Sequence, residues 1–322
     1  MELICPAGTL AAFRDAVDVG ADAVYCGFRD ETNARNFPGL NLTRDELATA
    51  IAYARPRGVK TLIAINTFMR QDDERLWTSA VDDAATIGAD ALILADIGLL
   101  AYAAERWPEQ RRHLSVQAGA ANSDSIAFYV EAFGVKRVVL PRVLTIAEVA
   151  ALTRAVPCET EVFVFGGLCV MEEGRCSLSS YATGRSPNMH GVCSPASHVR
   201  YREEGAETVS ELGAFTINRF PASEPAGYPT ICKGRFVADG EAGYLFEDPV
   251  SLDVTQHLGE LAAAGVSALK IEGRQRGRAY VARVVAEFRH ALDGTGAATA
   301  GNLSPMSEGL RTTAGSYNKG WR

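Results

Sequence analysis

Four cysteines stand close together in one part of this chain. The stretch "GGLCVMEEGRCSLSSYATGRSPNMHGVC" runs from Gly166 to Cys193 and holds Cys169, Cys176 and Cys193; Cys232 follows in "TICKGR". The chain has seven cysteines in all, so the gathering of four needs a reason. Thiols can pair as disulfides, hold a metal or cluster, or attack as thiolates. Six residues separate Cys169 from Cys176, sixteen separate Cys176 from Cys193, and thirty-eight separate Cys193 from Cys232. Structural zinc favours short C-x2–4-C knuckles, and none occurs here. Ligands scattered on loops at wide, unequal spacing suit an iron–sulfur cluster, each thiolate taking one corner. Gly174, Gly191 and Gly234 lie near three of the cysteines, where small residues let backbone N–H groups approach cluster sulfides. His190 lies between Cys176 and Cys193 and could complete a Cys3His zinc site, so zinc stays open. Cys5, Cys26 and Cys158 read instead as small apolar groups in or beside strands.

The totals narrow the choice. The chain has 322 residues, 47% of them apolar, with 39 acids against 32 bases and a net charge of −7. That is enough apolar content for a sizeable core. The acidic balance argues against a non-specific nucleic-acid binder, and no nucleic-acid partner is expected. "MELICPAGTLAAFRDAV" has neither a basic n-region nor an apolar h-region and reads as a strand running into a helix. No run of eighteen apolar residues occurs, so no transmembrane segment is expected. The expected compartment is cytoplasmic, where thiols stay reduced and disulfides are disfavoured.

The elements that must position these thiols repeat a phrase. "VGADAVYCGF" (19–28), "GVKTLIAIN" (58–66), "IGADALILAD" (87–96), "FGVKRVVLPR" (133–142) and "AGVSALKIEGR" (264–274) share one plan. A helix-like segment ends at a glycine and a nearly continuous apolar run follows. Glycine past a helix end supplies a left-handed cap, and an unbroken apolar run suits a parallel strand buried on both faces. "ELIC" (2–5), "HLSVQAG" (113–119) and "EVFVFGG" (161–167) bring the strands to eight. Helical patterns separate them at 9–19, 44–55, 72–87, 97–106, 123–133, 145–155 and 277–292. Alternating strands and helices give parallel pairing with right-handed crossovers. Eight such units predict an α/β fold, a closed (β/α)8 TIM-like barrel. The rival is a doubly wound sheet, but no GxGxxG follows an early strand.

One interval breaks the rhythm: about a hundred residues lie between strands seven and eight, and all four clustered cysteines sit there. The expected division is 1–168 for strands one to seven, 169–266 for a cysteine-bearing insert, 267–293 for strand eight and its helix, and 294–322 for a tail. The insert leaves strand seven at its C-terminal end, the face where barrel enzymes place their active sites.

The text of this region resembles a known family. Glu161, Phe163, Gly166, Leu168, Cys169, Gly174, Cys176, Leu178 and Ser179 match in register the signature of the collagenase-like peptidase family U-thirty-two. Gly167 stands where that signature usually has Ser or Ala. "CVMEEGRCSLSSYATGRSPNMHGVCSPASHVRY", "TICKGR", "ALKIEGRQR" and "SEGLRTTAGSYNKGW" are similar to one branch of the family, the UbiU type. These are iron–sulfur subunits of an oxygen-independent (anaerobic) ubiquinone hydroxylase. The resemblance implies that Cys169, Cys176, Cys193 and Cys232 ligate a [4Fe–4S] cluster. It implies a heterodimer with a homologous UbiV-type subunit, a ubiquinone precursor as substrate, and prephenate as oxygen donor. The alternatives are an RNA-base hydroxylase of the same family, or a peptidase. For a peptidase, the chain has no HExxH or GxSxG motif and its five histidines are scattered.

A donor such as prephenate carries two carboxylates, and guanidinium groups bind carboxylates through paired hydrogen bonds. Arg142 in "VLPR" and Arg274 in "KIEGR" stand at C-terminal strand ends, and Arg35 in "NARNF" lies on the loop after strand two. Asn66, Asp96, Gln117 and Glu272 are further polar residues expected at this mouth, Gln117 within strand five and Glu272 within strand eight. Glu272 has a plainer reading as an ion-pair partner of Lys270 or Arg274. His113 begins strand five and is expected at the opposite, stabilising face.

Overall fold

The computed structural model describes residues 1–169, 176–185, 187–294 and 303–318. Gly174 and the end of the tail lie outside the described residues. Seven parallel strands follow in chain order: β1 Glu2–Pro6, β2 Ala23–Gly27, β3 Lys60–Ile65, β4 Ala91–Leu94, β5 Arg112–Leu114, β6 Arg137–Val139 and β7 Glu159–Gly167. An eighth, β14 Ala268–Ile271, pairs in parallel with both β7 and β1 and closes the ring. The (β/α)8 barrel read from the repeated phrase is therefore present, and the doubly wound sheet is not.

Helices wrap it between strands: α1 Leu10–Asp18, α2 Arg44–Ala54, α3 Glu74–Ile87, α4 Ile97–Arg106, α5 Ser123–Phe133 and α6 Ile146–Ala155. All but α3 start at a side chain that caps the first turn: Thr9, Thr43, Asp96, Asn122 and Thr145. Thr43 and Thr145 form capping boxes with Glu46 and Glu148, satisfying amides that have no partner in the first turn. Gly88 and Gly134 end α3 and α5 with φ of +93° and +64°, a conformation that costs a Cβ-bearing residue about 1 kcal/mol or more. The shared phrase is thus a helix stop followed by a buried strand.

Two apolar layers result. Leu3, Val24, Ile63 and Leu92 face outward against helix residues such as Phe13 and Trp77. Ile4, Tyr25, Leu62, Ala64 and Ile93 face inward. The inward set is rich in small residues, and charged side chains share the barrel axis with it. Glu161, fully buried, accepts from Lys270 Nζ at 2.6 Å and pairs with Arg137 at 3.3 Å. Arg137 also holds Glu2 and Glu159 at 2.6 Å. Burial pushes the Lys270 ammonium downward, and Glu161 opposes that shift. Removing one partner of a buried ion pair strands the other charge, at a cost of about 3–5 kcal/mol. Glu161→Ala is expected to lose about 3 kcal/mol of stability in urea unfolding. A loss under about 1 kcal/mol, the range of a surface pair, would show that the network is not structural.

The stretch after β7 is where the architecture departs from a plain barrel. Past the short helices α7 Ser177–Thr183 and α8 Pro187–His190, an antiparallel sheet forms from β8 Val199–Glu204, β9 Glu207–Leu212 and β10 Phe215–Pro221. Val209, Leu212, Ile217 and Phe220 give it a small core. A two-stranded ribbon follows, β11 Arg235–Ala238 with β12 Glu241–Tyr244. The chain then rejoins the barrel. β13 Ser251–Asp253 runs antiparallel along the upper half of β7, and the tail strand β15 Thr312–Thr313 adds to β13. β7 has nine residues, so its upper half outlasts its barrel neighbours and leaves an edge for β13 to fill. Helix α9 Leu258–Ala263 precedes β14, and α10 Arg278–Asp293 follows it. In the tail, Tyr317 is buried and donates to the Phe163 carbonyl at 2.7 Å. Among the described residues no helix is long and apolar enough to cross a membrane.

Candidate functional site

Side chains alternate along a strand, and that rule builds the barrel mouth. Leu62 and Ala64 face inward, and Asn66 comes next on the same face. Tyr25 is the last inward residue of β2. On β14, Ala268 and Lys270 face inward, and Glu272 and Arg274 continue that phase beyond the strand. Tyr25, Ala64, Asn66, Lys270, Glu272 and Arg274, with Arg35, Gln117, Arg142 and Phe163, line a cleft of about 40 Å³ at the C-terminal end of the strands. Every mouth residue expected from sequence lines it except Asp96.

Asp96 is the N-cap of α4: its carboxylate accepts from Leu99 N at 2.9 Å and Met69 N at 3.3 Å. A carboxylate spent on two backbone donors is not available to the cleft. Gln117 also sits differently from expectation. β5 ends at Leu114, and Gln117 lies in a 3-10 turn, Val116–Ala118, capped by the Ser115 hydroxyl. Ser115 Oγ also accepts from Asn66 Nδ2 at 3.1 Å.

Glu272 organises the mouth. Its carboxylate accepts from Arg35 Nη2 at 2.6 Å and, on its other oxygen, from Arg142 Nη1. Its ion-pair partners are Arg35 and Arg142 in place of the expected Lys270 or Arg274; Lys270 is taken by Glu161. Burial alone would push the Glu272 carboxyl up, but Arg142 and Arg35 outweigh it and hold the group down at about 2. Arg142 lies over the Phe163 ring and donates to the Gly167 carbonyl at 3.1 Å. Arg274, 5% exposed, donates to Asn33 Oδ1 at 3.1 Å and lies over the Tyr25 ring. Burial lowers it to about 10. Among the described residues that line the cleft, four are cationic, Arg35, Arg142, Arg274 and Lys270, and one is a carboxylate, Glu272, with Glu161 buried against Lys270. The excess of positive charge in a narrow, low-dielectric cleft suits a dianionic guest.

Sequence reading missed Tyr25 and Phe163, the aromatic floor under these cations. The inward phase of β2 and β7 carried the signal. His113 lies at the other end of the barrel, accepting from Arg111 Nε at 2.9 Å. Burial, then Arg137 and Arg111, push its pKa well down, so it stays neutral. It lines a cleft of about 290 Å³ together with Glu2, Lys60 and Arg137.

Among the described residues the four cysteines of the insert are thiols not joined as disulfides, and Cys193 lies within electrostatic reach of Arg35 at the mouth. Cys176 caps α7, and α7 packs on the 3-10 turn Ile231–Lys233 that carries Cys232. Cys193 is held by its carbonyl, which accepts from Ser179 Oγ, and the next residue's carbonyl accepts from Tyr228 at 2.6 Å. Burial pushes Cys232 up to about 12, and the Cys169 and Cys193 thiols add to that shift. Burial also raises Cys193, and Cys176 contributes. Each of the four is therefore within electrostatic reach of at least one other. Among the described residues no three His, Cys, Asp or Glu side chains converge into a ready metal cage, so the thiols form a looser group. Four thiols, each near at least one other and three of them partly or wholly screened from water, have the donor chemistry that an iron–sulfur cluster takes. Bound iron would have to displace the protons that burial favours. Cys5 and Cys26 are fully buried, as expected of packing residues.

The model of Peptidase family U32 matches residues 8–321. The chain belongs to this family. Among curated U32 relatives, the tRNA hydroxylation protein P of Haemophilus influenzae is 33% identical over 97% of this chain and 70% of its own length. The Escherichia coli protein of the same name is 34% identical over 91% of this chain and 68% of its own. A 23S rRNA 5-hydroxycytidine synthase of Escherichia coli is 30% identical over 91% of this chain but only 39% of its own length. Hydroxylation is in the names of these three relatives, whereas a Methanocaldococcus jannaschii relative, 32% identical over 91% of this chain, is named an uncharacterized protease and a Porphyromonas gingivalis one, 27% identical over 91%, a collagenase. The solved U32 peptidase Mk0906 overlaps 52% of this chain at 17% identity and a TM-score of 0.44.

Proposed function

We propose that this U32 chain is an iron–sulfur subunit of an oxygen-independent ring hydroxylase, with Cys169, Cys176, Cys193 and Cys232 holding a [4Fe–4S] cluster. The observation that carries the reading is the cation-rich mouth, in which Arg35 and Arg142 grip Glu272 and Arg274 stands over Tyr25. Replacing a ring C–H by C–OH removes two electrons from the ring. A donor alcohol that gives up its hydroxyl oxygen and accepts hydrogen in its place takes up those two electrons. The exchange, R–H + D–OH → R–OH + D–H, balances without molecular oxygen. Prephenate is the proposed donor, its two carboxylates matched to the excess guanidinium charge. Gln117 supplies a neutral hydrogen-bonding group in the same cleft, suited to orienting a hydroxyl, while Asn66 braces the wall by accepting from Ala34 N and donating to Ser115 Oγ. A bound cluster supplies one-electron transfer.

For the ring, an RNA base is the class favoured by the names of the relatives. A ubiquinone precursor is the second reading. It is favoured by the resemblance of the cysteine-bearing stretches to ubiquinone hydroxylase subunits and by the net charge of −7, which disfavours a polyanionic partner. The second reading carries a homologous UbiV-type subunit as partner. The deciding experiment is deletion in anaerobically grown cells, followed by mass spectrometry of tRNA and rRNA nucleosides and of quinone intermediates. Loss of a hydroxynucleoside identifies an RNA base. Accumulation of an under-hydroxylated quinone precursor identifies the lipid ring, and unchanged pools of both would sink the hydroxylase reading.

A further inference from the structure

The loop after β2, residues 28–42, touches both the cleft and the thiol-bearing insert. Loops are ordinarily solvated, yet Thr32 and Asn33 are 0% exposed. The Asn33 side chain is fully engaged. Its Nδ2 donates to the Phe28 carbonyl at 2.5 Å, and its Oδ1 accepts from Arg35 N at 3.0 Å and Arg274 Nη1 at 3.1 Å. One amide oxygen thus sets the backbone of one mouth arginine and the guanidinium of another. The main chain of the same residue meets the insert. A Cβ on Gly191 would stand 2.1 Å from the Asn33 carbonyl oxygen, and Gly191 has φ +76°. The Gly191 carbonyl accepts from Asn36 N at 2.9 Å. Gly191 lies two residues before Cys193, and Phe37 stacks edge-on against Tyr228, which grips the Ser194 carbonyl. The contact is a backbone-on-backbone seat with no flexible side chain to absorb a shift.

We propose that Asn33 and Gly191 are positioning residues that tie the Cys193 loop to Arg35 and Arg274, so that the thiol loop and the cleft are set together. Movement of the Cys193 loop moves the Asn33 carbonyl, and with it the oxygen that orients both arginines. Coupling of this kind is reciprocal: loosening the cleft side loosens the thiol loop. The inference rests on the proposed function only for what the two sites bind, since the tie itself is a feature of the protein alone.

The test uses the full chain, metal-free and reduced. The first arm measures the rate of iodoacetamide alkylation of Cys193 by peptide mass mapping, with Cys158 as internal reference. Asn33→Ala removes the buried hydrogen bonds of the amide and is expected to speed Cys193 alkylation about tenfold. Gln117→Ala, at a residue that lines the same cleft but has no hydrogen bond to residues 28–42 or to the insert among those described, is expected to leave the rate unchanged. The second arm measures prephenate binding by calorimetry. Gly191→Ala is expected to weaken it about tenfold, an overpacking cost of roughly 1–3 kcal/mol. A Cys193 rate in Asn33→Ala within about twofold of the parent's, or one matched by Gln117→Ala, overturns the tie. So does full prephenate affinity in Gly191→Ala. Should the parent itself bind no prephenate, the proposed donor falls, and the alkylation arm alone decides the coupling.

Discussion

Replacing Cys176 by alanine is expected to abolish the broad visible absorption of anaerobically purified protein, its iron and acid-labile sulfide, and its hydroxylation together. The reasoning starts from the spacing. Four thiols on separate loops have no short knuckle among them, so each can reach only a different corner of a shared centre. The structure gives them neighbours: Cys176 acts on Cys193, and Cys232 feels both Cys169 and Cys193. Removing one corner leaves three ligands. Zinc analysis of the parent separates the competing metal: a stoichiometric zinc content with no sulfide would replace the cluster by a zinc site. If the alanine variant kept both chromophore and turnover, the ligand assignment would be wrong.

Glu272→Gln carries the second large effect. The carboxylate receives one charge-assisted bond from Arg35 and another from Arg142. A glutamine amide keeps the shape but loses the charge and presents an NH2 to one guanidinium. Both arginines would then drift. A displacement of about 1 Å at a reacting site costs about a hundredfold, so kcat/KM is expected to fall by about that factor. The same carboxylate makes a pH-dependent contribution to stability. Its folded pKa, about 2, lies below the ordinary 4.5. The stabilisation is therefore present above 4.5 and is lost as the pH falls towards 2. The difference corresponds to roughly 3 kcal/mol. Between those limits the parent is expected to lose stability faster than the glutamine variant on acid titration. Parallel acid profiles combined with unchanged turnover would remove Glu272 from any central role.

The barrel was legible because each unit repeats a local physical sentence: a glycine that only a left-handed cap explains, then β-branched residues with no polar face. Gln117 was misplaced into β5 because its neighbours keep an alternating look beyond Leu114, where a Ser115-capped turn takes over. Asp96 looked functional because it is acidic and follows a strand; helix N-caps draw on the same residue type. Strands β13 and β15 have three and two residues, too few to show a period, and they form only because β7 leaves an edge. The grip of Arg35 on Glu272 joins residues 237 positions apart, so no window of sequence contains it. Asn33 carried least signal of all. Asparagine in a loop normally implies exposure, and only the packing of the insert against residues 28–42 buries it.

The ring of strands is sealed between Glu2–Ile4 and Ala268–Lys270, near the two ends of the described chain. During synthesis the first strand must wait, its edge bare, until residues 268–271 have emerged. All four sulfur-bearing positions, 169 to 232, leave the ribosome before the strand that shuts the cylinder. Such a long-range closure is intrinsically slow. A newly made molecule therefore presents its thiols to the cell for a time in which the wall beside them is still open.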